Sequence, residues 1–110
     1  MWPTAADHAA RQFVTTYLRF TYAQLPASKI QAVAPQLRAH IAANPPEVPE
    51  QIHRLRPRVT TLAIIPARIA DDGAGWAATA TVTDGLESYQ ITVNLGSRQR
   101  RWLATAILAP

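Results

Sequence analysis

From Val59 onward the apolar residues of this 110-residue chain fall at every second position, whereas before it they recur every three or four. A strand repeats its face every two residues and a helix about every 3.6, so the switch divides the chain into a helical half and an extended half. Elements segregated in this way build an α+β domain, with N-terminal helices packed on a curved four-stranded antiparallel meander. One domain covers residues 1–110: helices over 5–43, a proline-rich connection over 44–58 and a sheet over 59–108.

In the first half, Thr4-Ala-Ala-Asp7 has the form of a capping box. Ala10, Phe13, Val14, Tyr17, Leu18 and Leu25 follow at helical spacing, and Pro26 closes this helix. Ser28 with Gln31 restarts a short helical turn over 28–33. Pro35 cannot sit inside a helix, so it belongs at the first position of a second one, running to Ala43 with Leu37 and Ile41 as its buried pair. The connection 44–58 holds four prolines and no period, with room for a helical turn around Glu50–Leu55.

In the second half, segments 59–70, 75–83, 86–95 and 98–108 are separated by Asp72-Gly73, Asp84-Gly85 and Gly96-Ser97. Asp-Gly between alternating segments marks a hairpin. Pro66 consigns the first segment to a sheet edge. A two-residue loop at Asp84-Gly85 sets Ala80 opposite Tyr89, Ala78 opposite Ile91 and Trp76 opposite Val93. The loop at Gly96-Ser97 sets Trp102 beside Ile91 and Ala104 beside Tyr89. An even-length loop at Asp72-Gly73 adds Ile65, Ala67 and Ile69 to the same side, which should receive the first helix. The opposite side then carries Thr79, Thr81, Ser88, Gln90, Thr92 and Thr105 at its centre. Leu62, Ile64, Leu86, Leu103 and Ile107 form its margin. Apolar residues clustered on a bare face point to an interface, or else strand twist tucks them under the connection 44–58; as an interface, these five, with Arg101 nearby, are the expected contacts.

Composition narrows the chemistry. The absence of cysteine removes disulfide frameworks, thiol nucleophiles and cysteine metal sites. Hydrophobic residues at 48% and charged residues at 16% exclude a disordered tail. No apolar run approaches the ~20 residues that span a bilayer, and the N-terminal residues lack the pattern of a signal peptide. Eleven basic against seven acidic residues suit acidic partners, but an arginine-rich solvated surface of a GC-rich genome accounts for the excess more simply. No phosphate-cradle motif is present, and His8, His40 and His53 include no i, i+4 pair to aim at one metal. Asp71 and Asp72 are adjacent, without the further oxygens calcium needs. Glu87, near Tyr89, is the one acid on the expected helix-facing side; flanking a turn, it reads as a solvated charge before a general base. The sequence therefore offers no catalytic, cofactor-binding or metal residues. Arg54, Arg56 and Arg58 form one basic run, and Arg98, Arg100 and Arg101 with Trp102 another. Alternation in the last strand turns Trp102 and Arg100 toward the core and Arg101 away, which suits arginines that guard an edge more than a grip on single-stranded nucleic acid.

Helix, broken helix, proline-rich connection and four-strand meander, in this order, resemble the nuclear-transport-factor-2-like cone fold. The likeness rests on AADHAARQFVTTYLRFTYA, AVAPQLRAHIA, GWAATATVTDG, SYQITVNL and RRWLATAI. Within that fold the chain is similar to the extracytoplasmic domains of TcpC-like conjugative-transfer proteins and of the inner-membrane scaffold subunit of type IV secretion systems. That subunit's Asn-Pro-x-Gly turn meets Asn44-Pro45-Pro46-Glu47 here, without the glycine. The resemblance implies a non-enzymatic scaffold on the extracytoplasmic face of the cytoplasmic membrane, anchored by a segment outside this chain. Its implied partners are copies of itself and other channel subunits, with no cofactor and no small-molecule substrate. The alternatives are a small-molecule-binding or enzymatic cone and, more weakly, a nucleic-acid-binding module.

Overall fold

A computed structural model describes residues 4–45, 49–69, 73–98 and 100–108. Helix α1 spans Thr4–Thr21 and α2 spans Pro35–Ala43. Strands β1 (Arg58–Ile69), β2 (Gly73–Thr83), β3 (Ser88–Arg98) and β4 (Arg101–Leu108) follow. The fold is α+β: the helices pack on one face of an antiparallel sheet ordered β1-β2-β3-β4. Helix α1 touches both edge strands as well as the central pair, so the sheet curves around it.

Local signals explain most of the helical half. Asp7 lies in the first turn of α1, where the helix dipole favours an anion, and pairs with Arg11 one turn on at 3.2 Å. The helix stops well before Pro26. Ala23 takes a left-handed φ of 58°, its N–H donates to the Phe20 carbonyl at 3.0 Å, and the Gln24 N–H donates to the Arg19 carbonyl at 2.8 Å. This is a Schellman ending with alanine where glycine is usual, a choice that costs about 1 kcal/mol. Pro35 opens α2 at its first turn, as its missing N–H dictates. The expected helical turns are 3-10 turns, Ala27–Lys29 and Glu50–Ile52.

The segment before α2 also shields the sheet. Val33 makes a parallel bridge to Ala104; the Ala34 N–H donates to the Ala104 carbonyl at 2.9 Å, and the Ala104 N–H to the Ala32 carbonyl at 2.7 Å. The middle of the β4 edge is thereby covered. Pro66 sits in the other edge strand, as expected.

The strand register departs from the sequence reading at three joints. At the β2–β3 turn the connection has four residues, not two. Asp84 Oδ1 accepts the Leu86 and Glu87 N–H groups at 2.8 Å each, and Gly85 adopts a φ of 95°. Thr83 therefore pairs with Ser88, Val82 with Tyr89, Ala80 with Ile91, Ala78 with Val93 and Trp76 with Leu95. The slip is two residues, so the faces survive. At the β1–β2 joint Ile69 pairs with Gly73, leaving an odd number of residues between them; Asp71 and Asp72 lie outside the described residues. An odd connection turns β1 over. Ile64 and Leu62 oppose Ala78 and Ala80 on the helix side, while Ile65 and Ala67 oppose Ala77 and Gly75 on the open side. At the β3–β4 joint Gly96-Ser97 is not the turn. Both residues belong to β3, Arg98 pairs with Arg101, and Arg100 occupies the turn with a φ of 68°. A bulge between Asn94 and Leu95 then sets Val93 opposite Ile107, which moves Ile107 to the helix side.

Four rows of side chains now line the concave face: Val59–Val82–Tyr89, Leu62–Ala80–Ile91, Ile64–Ala78–Val93–Ile107 and Pro66–Trp76–Leu95–Ala104. Trp102 and Trp76 share this side, as expected, and both pack partly buried against the core. Alanine at 78 and 80 leaves the floor of the curve shallow, and Phe13, Val14 and Leu18 of α1 are fully buried in the same cluster.

Candidate functional site

With the interior filled by apolar side chains, the distinctive surface is the side of the sheet that no helix covers. Its central strands present Ala77, Thr79, Thr81 and Thr83 from β2 and Ser88, Gln90, Thr92 and Asn94 from β3. None of these is ionisable. The Thr79 and Thr92 hydroxyls bond to each other at 3.1 Å, so part of the polarity is satisfied within the sheet. Ile65 on β1 is 61% exposed and Leu108 on β4 is 42% exposed. The arginines of this face stand at its ends, Arg58 opposite Thr83 and Arg101 opposite Arg98.

The expected contact residues divide on this geometry. Leu103, opposite Gly96, lies on the open side and is half-buried, and Arg101 beside it is exposed. Leu86 is exposed, but in the turn rather than on a strand. Leu62, Ile64 and Ile107 do not lie on the open side: Ile64 is only 8% exposed in the core, and Leu62 and Ile107 pack against it. The overturned strand and the bulge hide them and expose Ile65 and Leu108 in their place. No period in the sequence distinguishes these arrangements.

A polar cluster at the rim of the concave face is also not legible in the sequence. Tyr22, at the end of α1, donates to Asp84 Oδ2 at 2.6 Å, and its hydroxyl lies 2.9 Å from that of Tyr89. Asp84 thus both shapes its own turn and latches the turn to the helix end. Glu87, the acid singled out from the sequence, is exposed in that turn. The Tyr22 hydrogen bond, supported by the Glu87 and Leu86 N–H groups, holds the Asp84 carboxyl below its ordinary value. Burial, with the bonds to Asp84 and Tyr89, pushes Tyr22 well above the usual tyrosine value. Burial likewise raises Tyr89, against the effect of its bond to Tyr22. The latch therefore needs an ionised carboxylate and a neutral phenol. Its carboxylate contribution is present above the unfolded pKa near ~4 and fades as pH falls through the lower folded value. Its phenol contribution is complete below the unfolded pKa near ~10 and fades as pH rises toward the higher folded value. Tyr22→Phe should cost about 1–2 kcal/mol at neutral pH and flatten both the acid and the alkaline limbs of stability, read as urea midpoints across pH.

Two grooves among the described residues gather further polar groups. One, about 590 Å³, runs between α1, the segment around 28–32 and β4, and is lined by His8, Gln12, Lys29, Arg38, Arg101 and Trp102 among others. Arg38 is engaged there with the Ala27 and Ser28 carbonyls, both at 3.0 Å. The other lies at the far end of α1, beside the connection into β1. Among the described residues no three His, Asp or Glu side chains come together as a metal site, and no helix is long and apolar enough to cross a membrane. Comparison with known protein families, curated proteins and solved structures finds no match for the chain.

Proposed function

We propose that this chain is a non-catalytic assembly domain of a conjugative-transfer or type IV secretion apparatus, held on the extracytoplasmic face of the cytoplasmic membrane by a segment outside the chain. Its working surface is the open face of the sheet, and its partners are a second copy of itself and other subunits of the channel. The nuclear-transport-factor-2-like cone and the TcpC-like scaffold domains supply the analogy. The observation that carries the reading is the uncharged centre of the open face, flanked by exposed Ile65 and Leu108. A chain with a net charge of +4 repels its own copies; the surface where two can meet is the one whose centre carries no charge. The apolar filling of the cone favours this over a substrate chamber, because a binding cavity sets a few polar groups in an apolar hollow.

Sedimentation at rising concentration tests it. The chain should self-associate, and Ile65→Lys with Leu108→Lys should leave a monomer of unchanged melting temperature. In cells carrying the transfer apparatus, the same pair should depress transfer at unchanged protein level. A chain that stays monomeric throughout would remove the self-assembly, and transfer indifferent to the substitutions would remove the secretion role.

A further inference from the structure

The first basic run acquires a place in the fold that assembly through the sheet does not use. Arg54 and Arg56 lie in the connection before β1, and Arg19 in the last turn of α1. All three arginines line one groove of about 490 Å³, together with Gln24, His53 and Pro57. The groove has a fixed wall. Gln24 follows the left-handed turn at Ala23, and its Nε2 donates to the His53 carbonyl at 2.9 Å and the Leu55 carbonyl at 2.6 Å. The connection is thereby tied to the helix end, and the loop arginines are held beside Arg19. All three arginines are exposed. Among the described residues none of them forms an ion pair of the kind Arg11 makes with Asp7.

Three exposed positive charges lining one groove make it favourable for an anion. We infer that this groove binds a phosphate group. A guanidinium presents paired N–H donors that match two oxygens of a phosphate. Three guanidiniums arriving from two elements suit a tetrahedral anion, with oxygens on every side, better than a planar carboxylate. A phosphate monoester, free or borne on a lipid headgroup, keeps three terminal oxygens for the three arginines and lets the rest of the ligand extend out of the open groove. The groove belongs to the helical side of the molecule and leaves the open sheet face free.

Inorganic phosphate titrated into the isotope-labelled chain at low salt should shift the resonances of Arg19, Gln24 and residues 53–57. Arg54→Ala and Arg56→Ala should each weaken binding at least about tenfold, the order of one charge-assisted hydrogen bond. Gln24→Ala, which changes no charge, should also weaken it by releasing the loop. Arg100→Gly, which removes one charge in the β3–β4 turn, should not. Vesicles of phosphatidic acid in phosphatidylcholine, against phosphatidylcholine alone, separate the two sources. Retention lost in the Arg54→Ala, Arg56→Ala double variant assigns the headgroup; phosphate binding without retention assigns a soluble ester. The inference is overturned if Arg100→Gly weakens binding as much as Arg54→Ala, if the shifts spread over the whole basic surface, or if no shifts occur.

Discussion

Phe13→Ala should lower the unfolding free energy by about 3–5 kcal/mol, the largest loss any single truncation in this chain should cause. Phe13 is fully buried and stacks on Tyr17 with ring centroids 5.4 Å apart and planes 12° from parallel. The floor beneath α1 is made of Ala78 and Ala80, which have no side-chain length with which to refill the space. The cavity would therefore stay open, and it is the unrelaxed cavity that brings such a truncation to the top of its range. At this chain length the melting temperature should fall by roughly 15–25 °C, read by calorimetry. A fall of only a few degrees would mean that Phe13 does not fill the space between α1 and the sheet.

The second large effect runs the other way, from too much volume. Ala80 is fully buried in β2, between Leu62 on β1 and Ile91 on β3, and faces the helix. Ala80→Leu adds three carbons to a packed row and should cost about 3 kcal/mol, the upper end for overpacking. Thr81→Leu, one residue along, places the same side chain on the open face and should change stability by no more than about 0.5 kcal/mol. The contrast between neighbours isolates the face, since backbone, strand and neighbouring sequence are shared. Equal costs at the two positions, measured as urea midpoints, would mean that the sheet is covered on both sides.

What could be read in the sequence follows from the period of a strand. Pro35 and Pro66 fixed a helix start and an edge strand because each lacks an N–H, a local property that tertiary structure cannot override. Pro26 points to a later end for α1 than the chain takes, because the residue that turns it, Ala23, carries none of the composition of a helix stop. In the sheet, joints behaved according to parity. The β2–β3 turn was misjudged by two residues, yet Ala78, Ala80, Tyr89, Ile91 and both tryptophans stayed on the helix side. The β1–β2 connection was misjudged by one, and that single residue moved Ile64 and Leu62 into the core and Ile65 and Ala67 out of it. The bulge beside Leu95 did the same to Ile107. Apolar residues occupy both faces of β1 in the string Leu62-Ala63-Ile64-Ile65, so hydrophobicity alone had no preference between the two registers. Of the six expected contact residues, Leu62, Ile64 and Ile107 thus lie on the helix side of the sheet. The Asp84 turn is a different case: aspartate before glycine does favour capping of the following N–H groups, but nothing local announces that Tyr22, 62 residues earlier, will bond to the same carboxylate.

Because the chain has no cysteine of its own, single cysteines at Ile64 and Ile65 measure the account most directly. Ile65→Cys should react with a maleimide at nearly the rate of a free thiol in dilute solution, and more slowly as the protein concentration rises and copies cover the open face. Ile64→Cys should react only as fast as the native chain unfolds, at every concentration. Reversed or equal rates would put β1 the other way up, and an Ile65→Cys rate indifferent to concentration would leave the open face without a second copy to cover it.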